Sequence, residues 1–240
     1  KGKRSRPDVQ AFERNLMANL LYLHDRLQGA TYRHAPYHAF TVSDPKTRSI
    51  HKASVADRLL HRAIYRKLYP FFDRTFIADS FSCRFNKGTH KALERFACFA
   101  RQASSNHHKT VWVLKCDIRK FFASIDHARL IAILDRRIVD KRIVGLLQEI
   151  VGSFHAGLPG IGLPLGNLTS QLFANVYMND FDQFVKHRLH VRHYIRYADD
   201  FVFFSKHREY LESLLPLVEE FLGRLLGLIL HPGKIELKTV

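Results

Sequence analysis

Residues Tyr194 to Phe204 set two adjacent carboxylates, Asp199 and Asp200, between two short runs of β-branched and aromatic residues. The runs Tyr194-Ile195-Arg196-Tyr197 and Phe201-Val202-Phe203-Phe204 read as strands, and Ala198-Asp199-Asp200 as the turn joining them. Such a hairpin holds two acidic side chains at one place on a rigid sheet. Folding gains nothing from like charges side by side there, whereas a divalent cation takes oxygen ligands of this type. An Asp-Asp pair in an ordinary solvated turn carries no such meaning, so the rest of the chain decides.

The surroundings are strongly basic: 38 Lys and Arg against 22 Asp and Glu give a net charge of +16 over 240 residues. A surplus of this size points to a polyanionic partner, nucleic acid or an anionic membrane surface. No apolar run is long enough to span a bilayer, and the stretch from Phe221 to Leu230 is broken by Arg224. A hydrophobic content of 46% with 25% charged residues fits a folded chain and argues against disorder. The length suits one large domain or two interlocked subdomains. Cys83, Cys98 and Cys116 make no Cys-x-x-Cys spacing, so neither a disulfide framework nor a zinc site is expected, and free thiols suit a reducing cytosol. His187, His190 and His193 recur every third residue but lack matching cysteines or acids, which reads as a polar helix end. The basic start, Lys1-Gly2-Lys3-Arg4-Ser5-Arg6, lacks the apolar run of a signal peptide, and without an initial Met the chain reads as a fragment.

Along the chain, Val9, Phe12, Leu16, Leu20, Leu23 and Leu27 recur at helical spacing, predicting a helix over 8–29 capped by Gly29. Tyr37 to Val42 and Ser49-Ile50 read as a basic hairpin around the turn Ser43-Asp44-Pro45-Lys46-Thr47-Arg48. A helix over 54–70 carries Arg58, Arg62, Arg66 and Lys67 on one face, a candidate contact to a phosphate backbone, and Pro70 is expected to end it. Phe81 to Gly88 reads as an extended segment entering a turn, followed by a helix over 89–102 and a surface loop over 104–109.

Val111 to Ile118 is a mostly apolar strand ending on Asp117, a costly place for a carboxylate unless it is paired or binds metal. Helices over 127–137 and 140–152 follow, the first capped by Ser124 or Asp126. The Gly- and Pro-rich stretch 157–166 lacks the Lys-Ser/Thr of a P-loop. A helix over 168–189, the hairpin, a helix over 209–226 containing Pro216, a strand at Leu228-Ile229-Leu230 and a turn at His231-Pro232-Gly233-Lys234 complete the chain. This order predicts an α+β fold, an antiparallel sheet with helices packed on one face. Asp117 would then meet Asp199 on a neighbouring strand, an acidic point in a basic protein. Carboxylates gathered this way suit two divalent ions roughly 3.5–4 Å apart, the arrangement of in-line phosphoryl transfer.

At this point the residues resemble a family. Tyr197-Ala198-Asp199-Asp200 is similar to the Tyr-x-Asp-Asp motif of reverse transcriptases, and Asp117 with Phe121-Phe122 and Ser124-Ile125-Asp126-His127 to the acidic motif that precedes it. Pro45-Lys46-x-Arg48-x-Ile50, Asp57-Arg58, Ser80-Phe81-x-Cys83-Arg84 and Lys87-Gly88 look like the family's fingers motifs, in the same order along nearly the whole chain. The resemblance implies the fingers and palm of a right-hand polymerase, with fingers over 1–110 and palm over 111–240, a helical fingers segment inserted at about 127–165, and a primer grip and thumb beyond Val240. It implies RNA-directed DNA synthesis, with an RNA template, a DNA or RNA primer, dNTPs and two Mg2+ ions, for which Mn2+ can substitute.

Carried over by position, Asp117 and Asp199 ligate both metals with the Ile118 carbonyl, Asp200 is the less direct second carboxylate, and Phe122 gates against a ribose 2′-hydroxyl. Arg48, supported by Arg84, lies over the incoming nucleotide. Leu165, Gly166 and Gln171 line its pocket, and Lys234 protonates pyrophosphate. Lys46, Arg58, Arg62, Lys87 and Tyr197 face nucleic acid. Most relatives carry Gln-Gly-x-x-x-Ser-Pro before the palm helix; here the loop is Leu165-Gly166-Asn167-Leu168-Thr169-Ser170-Gln171. That departure resembles the reverse transcriptases of diversity-generating retroelements, which misincorporate opposite template adenines. The resemblance implies a structured template RNA, a basic multimeric accessory protein and a cytoplasmic setting in a prokaryotic cell or its phage. The alternatives are a group II intron-like or antiphage-defence reverse transcriptase, and an inactive RNA-binding module.

Overall fold

The computed structural model describes residues 4–43 and 46–240. Lys1, Gly2 and Lys3 of the basic start, and Asp44 and Pro45 of the hairpin turn, lie outside the described residues. The expected long N-terminal helix is two, α1 (Pro7–Arg14) and α2 (Leu16–Gln28), because Asn15 leaves the helical region at φ −120°, ψ 39°. Strands β1 (His38–Ser43) and β2 (Thr47–Lys52) form a separate antiparallel ribbon.

Helix α3 (Val55–Asp73) begins where the Ser54 hydroxyl accepts from the Asp57 amide at 3.2 Å. Buried Asp57 also accepts from the Tyr32 hydroxyl and the Ser54 hydroxyl, each at 2.6 Å, so its role is to knot the helix start to the preceding segment. Pro70 does not end this helix, and Pro216 does not end α9 (Arg208–Phe221). Both prolines are exposed, where water can serve the carbonyls they leave unpaired. Phe81 to Gly88 is a series of turns rather than an extended segment, with Cys83 and Asn86 at positive φ. Helix α4 (Thr89–Ala103) follows.

The central sheet is built from β3 (Trp112–Asp117), β4 (Tyr194–Tyr197), β5 (Asp200–Ser205) and β6 (Glu236–Thr239), in the order β4-β5-β3-β6, every pair antiparallel. Residues 228–230 do not form the expected strand. A π-helical turn, Leu222–Leu226, ends at Gly227 with φ 63°, and Leu230 reaches the sheet only as a single bridge to Ile118. Pro232 then turns the chain, and the last strand forms four residues later.

Alternation sorts the sheet's two faces. Leu114, Cys116, Tyr194, Phe201 and Phe203 share the main core with α8 (Leu168–His187) and α9. Val113, Ile195 and Phe204 pack with Phe99 and Ala100 of α4 in a second core on the opposite face. The expectation of helices on one face only is therefore corrected: α4 covers part of the other. A four-residue helix α5 (Phe121–Ser124), α6 (His127–Asp135) and α7 (Lys141–Gly152) connect β3 to α8. The Asp126 side chain caps α6 by accepting from the Arg129 amide, and Asp140 caps α7 through Arg142. No described helix is long and apolar enough to cross a membrane.

Candidate active site

The β4–β5 connection is the tightest hairpin available. Tyr197 pairs with Asp200, leaving Ala198 and Asp199 as the two loop residues. Ala198 stands at φ 57°, a left-handed position that costs a residue with a Cβ about 1–2 kcal/mol. Across the sheet Asp200 lies directly opposite Asp117, so their side chains share one face. Burial pushes the Asp199 carboxyl up to about 6, with the charges of Asp200 and Asp117 adding to the shift. Burial and the Asp117 charge also push Asp200 upward. The Lys234 ammonium donates to Asp117 Oδ2 at 2.7 Å, which raises the lysine's own proton affinity.

Neighbouring carboxylates whose charges disfavour ionisation of Asp199 and Asp200 are the donor set a hard divalent cation favours. Among the described residues no three acidic, histidine or cysteine side chains converge closely enough to enclose a cation by themselves. The expected trio is thus partly assembled, with Lys234 supplying the charge that balances Asp117. Ile118 follows Asp117 at the end of β3. The backbone bonds across its bridge to Leu230 are made by Asp117 and Arg119, so its own carbonyl faces the other way, toward the hairpin.

A cleft of about 620 Å³ is lined by Asp199 and Asp200 together with Arg48, Phe122, Leu165, Gly166, Gln171 and Tyr197. The loop at 165–167 is docked on β2: the His51 amide donates to the Leu165 carbonyl at 3.0 Å, and Asn167 Nδ2 to the His51 carbonyl at 2.9 Å. Gly166 has φ +99°, and a Cβ there would lie 2.8 Å from Ile50 Cγ2. Gly166→Ala is expected to cost about 1–3 kcal/mol in chemical denaturation and to displace Ile50, another residue of the cleft wall. An unchanged denaturation midpoint would refute that reading.

The structure does not bring every expected residue to this cleft. The prediction that Arg84 supports Arg48 is corrected: its guanidinium is engaged by Asp73 at 2.7 Å and by the Ile77 and Ser80 carbonyls at 2.7 and 3.0 Å. Lys87 turns into its own loop, donating to the Ala78 carbonyl at 2.6 Å over the Phe81 ring. Arg58 and Arg62 line a neighbouring cleft that shares Gly166 and Asn167 with the first, and Arg58 is held by Asp8 at 2.9 Å. Lys46 is exposed beside the β1–β2 turn.

Sequence reading missed what holds the hairpin. Arg196 and Asp182, both fully buried, form an ion pair beneath it, with Arg196 Nη2 to Asp182 Oδ2 at 2.7 Å. The available signal was Asp182 itself, an acid one residue from Phe181 on the apolar side of α8. Lys120 and Cys83 also line the cleft and were not singled out as site residues from the sequence.

With fold and site in place, comparisons with known proteins give the class. The family described as reverse transcriptase (RNA-dependent DNA polymerase) matches residues 43–239. The chain belongs to the reverse transcriptase family. It is similar to protein YkfC of Escherichia coli, 26% identical over 182 residues, covering 72% of this chain and 47% of that protein. It is also similar to the group II intron-encoded protein LtrA of Lactococcus lactis, 23% identical over 169 residues, covering 66% of this chain and 27% of that one. The chain thus spans less than half the length of either relative. Among solved structures, apo telomerase from Candida tropicalis shares the fold at a TM-score of 0.61 and 11% identity, over 93% of this chain and 55% of that one.

Proposed function

We propose that this chain is the fingers and palm of an RNA-directed DNA polymerase, extending a primer from dNTPs on an RNA template. The observation that carries the reading is Asp199 and Asp200 lining the cleft, with Asp117 directly across the sheet from Asp200. Asp117, Asp199, Asp200 and the Ile118 carbonyl would hold divalent ions, Mg2+ or Mn2+, which when bound supply positive charge for the attacking and leaving oxygens. Around them the chain's own residues shape the site: Arg48 faces the triphosphate, and Phe122 excludes a 2′-hydroxyl. Residues 1–110 act as fingers and 111–240 as palm, and the net charge of +16 suits template and primer. Primer extension on an RNA template, with and without Mg2+, tests this on the full chain. Extension by the native protein and none by Asp199→Ala is expected; equal extension by both would sink the reading.

Within that class, the error-prone enzyme of a diversity-generating retroelement is favoured by Leu165 and Gln171, which line the cleft in place of the amide and proline of most relatives. An aliphatic side chain makes no hydrogen bond there, which loosens base selection. Such an enzyme works with a structured template RNA and a basic multimeric accessory protein, in a reducing cytoplasm that suits the free thiol of exposed Cys83. Leu165→Gln is expected to lower misincorporation opposite template adenine, and cDNA sequencing with unchanged errors would count against it. Similarity to a group II intron-encoded protein supports the second reading, an intron-type enzyme, which the same sequencing would reveal as faithful copying.

A further inference from the structure

Beneath the hairpin lies a polar cluster that the proposed chemistry does not use. Arg196 Nε and Nη2 donate to the two oxygens of Asp182 at 2.8 and 2.7 Å. The Tyr194 hydroxyl donates to the same carboxylate at 2.8 Å. Arg196 Nη1 reaches Asn175 Oδ1 at 3.2 Å and the Ala198 carbonyl at 2.9 Å. Asn175 Nδ2 in turn donates to the Ser82 carbonyl at 2.9 Å, next to Cys83 on the cleft wall. The Arg196 backbone extends the link, bonding the Asp79 carbonyl and the Phe81 amide at 3.0 Å each.

Stability alone does not account for this arrangement. A buried ion pair replaced by apolar side chains of similar volume is often as stable or more so. Planarity is what a guanidinium adds: once Asp182 holds two of its nitrogens, the third points in a set direction. That direction ends on Ala198, a non-glycine residue kept at φ 57° next to Asp199. A strained turn persists where its surroundings over-determine it, and the Arg196 bond to the Ala198 carbonyl adds to the Tyr197–Asp200 pairing there.

We propose that Arg196 is a positioning residue: locked by Asp182, Tyr194 and Asn175, it sets the Ala198–Asp199 turn through the Ala198 carbonyl and ties it to the cleft wall at Ser82. The proposal rests on the polymerase reading for its catalytic consequence. Its test therefore includes a readout independent of polymerisation, the binding of Mn2+ measured by calorimetry. The deciding variant is Asp182→Leu/Tyr194→Phe/Arg196→Met, which removes the pair without leaving an unpaired charge. Its melting temperature is expected to stay near that of the native protein, while Mn2+ affinity falls about tenfold, equivalent to about 1.4 kcal/mol. The extension rate falls on the order of a hundredfold, as for a small misplacement of reacting groups, with the KM for dNTP within about twofold. Native Mn2+ affinity and native rate in the folded variant would overturn the proposal and leave the cluster a purely structural device. Should the triple variant melt early, Arg196→Lys decides, because one ammonium cannot serve both Asp182 and the Ala198 carbonyl in a fixed plane. The same loss of Mn2+ affinity is expected there, and native affinity would overturn the proposal. A native chain that binds Mn2+ but extends no primer would instead refute the polymerase reading and leave the positioning of the turn standing.

Discussion

Asp199→Asn is expected to make the metal-free protein more stable while lowering nucleotide addition about a thousandfold or more. The two effects have one cause. In the folded protein the Asp199 carboxyl is pushed up to about 6 from an ordinary value of 3.8, because it is half-buried beside Asp200 and Asp117. A raised folded value means the native state holds this proton more tightly than the unfolded chain does. Below about pH 4 both states are protonated and the site costs nothing. As pH rises toward 6 the penalty grows, and above 6 it is complete, on the order of 3 kcal/mol. In chelator-treated buffer the variant should therefore gain stability over the native chain at pH 7–8 and not at pH 4, by urea denaturation. On the proposed two-metal reading, the charge that destabilises the bare fold is the charge a bound cation would use, so the same substitution is expected to remove several kcal/mol of transition-state stabilisation. A variant less stable than the native chain at pH 8 would mean that Asp199 is satisfied by a contact within the protein.

Arg196→Met alone is expected to destabilise the protein by about 3–5 kcal/mol, because it leaves the Asp182 carboxyl without its counter-charge at zero exposure. For a chain of this size that is a fall on the order of 10 °C in melting temperature. Asp182→Leu alone should cost a similar amount by stranding the guanidinium, whose bonds to Asn175 and Ala198 do not neutralise it. The two losses should not add, since either one breaks the same pair. A double variant no worse than each single one, measured by differential scanning calorimetry, is the expected signature. Additive losses would mean that the two residues are stabilised by separate neighbours.

Much of this was legible locally. Short apolar, β-branched and aromatic runs identified β3 and the hairpin, and helical spacing located α8 and most of α9, because each signal is written in neighbouring residues. Pro70 misled for the same reason: at an exposed position water can serve the carbonyl it frees, and exposure is not a local property. Leu228 to Leu230 looked like a strand from its side chains, but residues 236–239 take the β3 edge over Trp112 to Lys115, which leaves Leu230 only its bridge to Ile118. Arg84 and Lys87 looked like cations awaiting phosphate, yet their own turns supply the acceptors.

What the sequence determined by itself is the chemistry of the site: which carboxylates it holds, in which order of motifs, and within how basic a chain. Covalent order and residue type are enough for that, since an Asp-Asp turn between two strands places both acids wherever the hairpin goes. Only the tertiary structure decided how they are held. Asp117 opposite Asp200, Lys234 on Asp117, and Arg196 locked on Asp182 join residues from 14 to 117 positions apart. Such contacts depend on how the elements pack, and no local pattern of the chain records them.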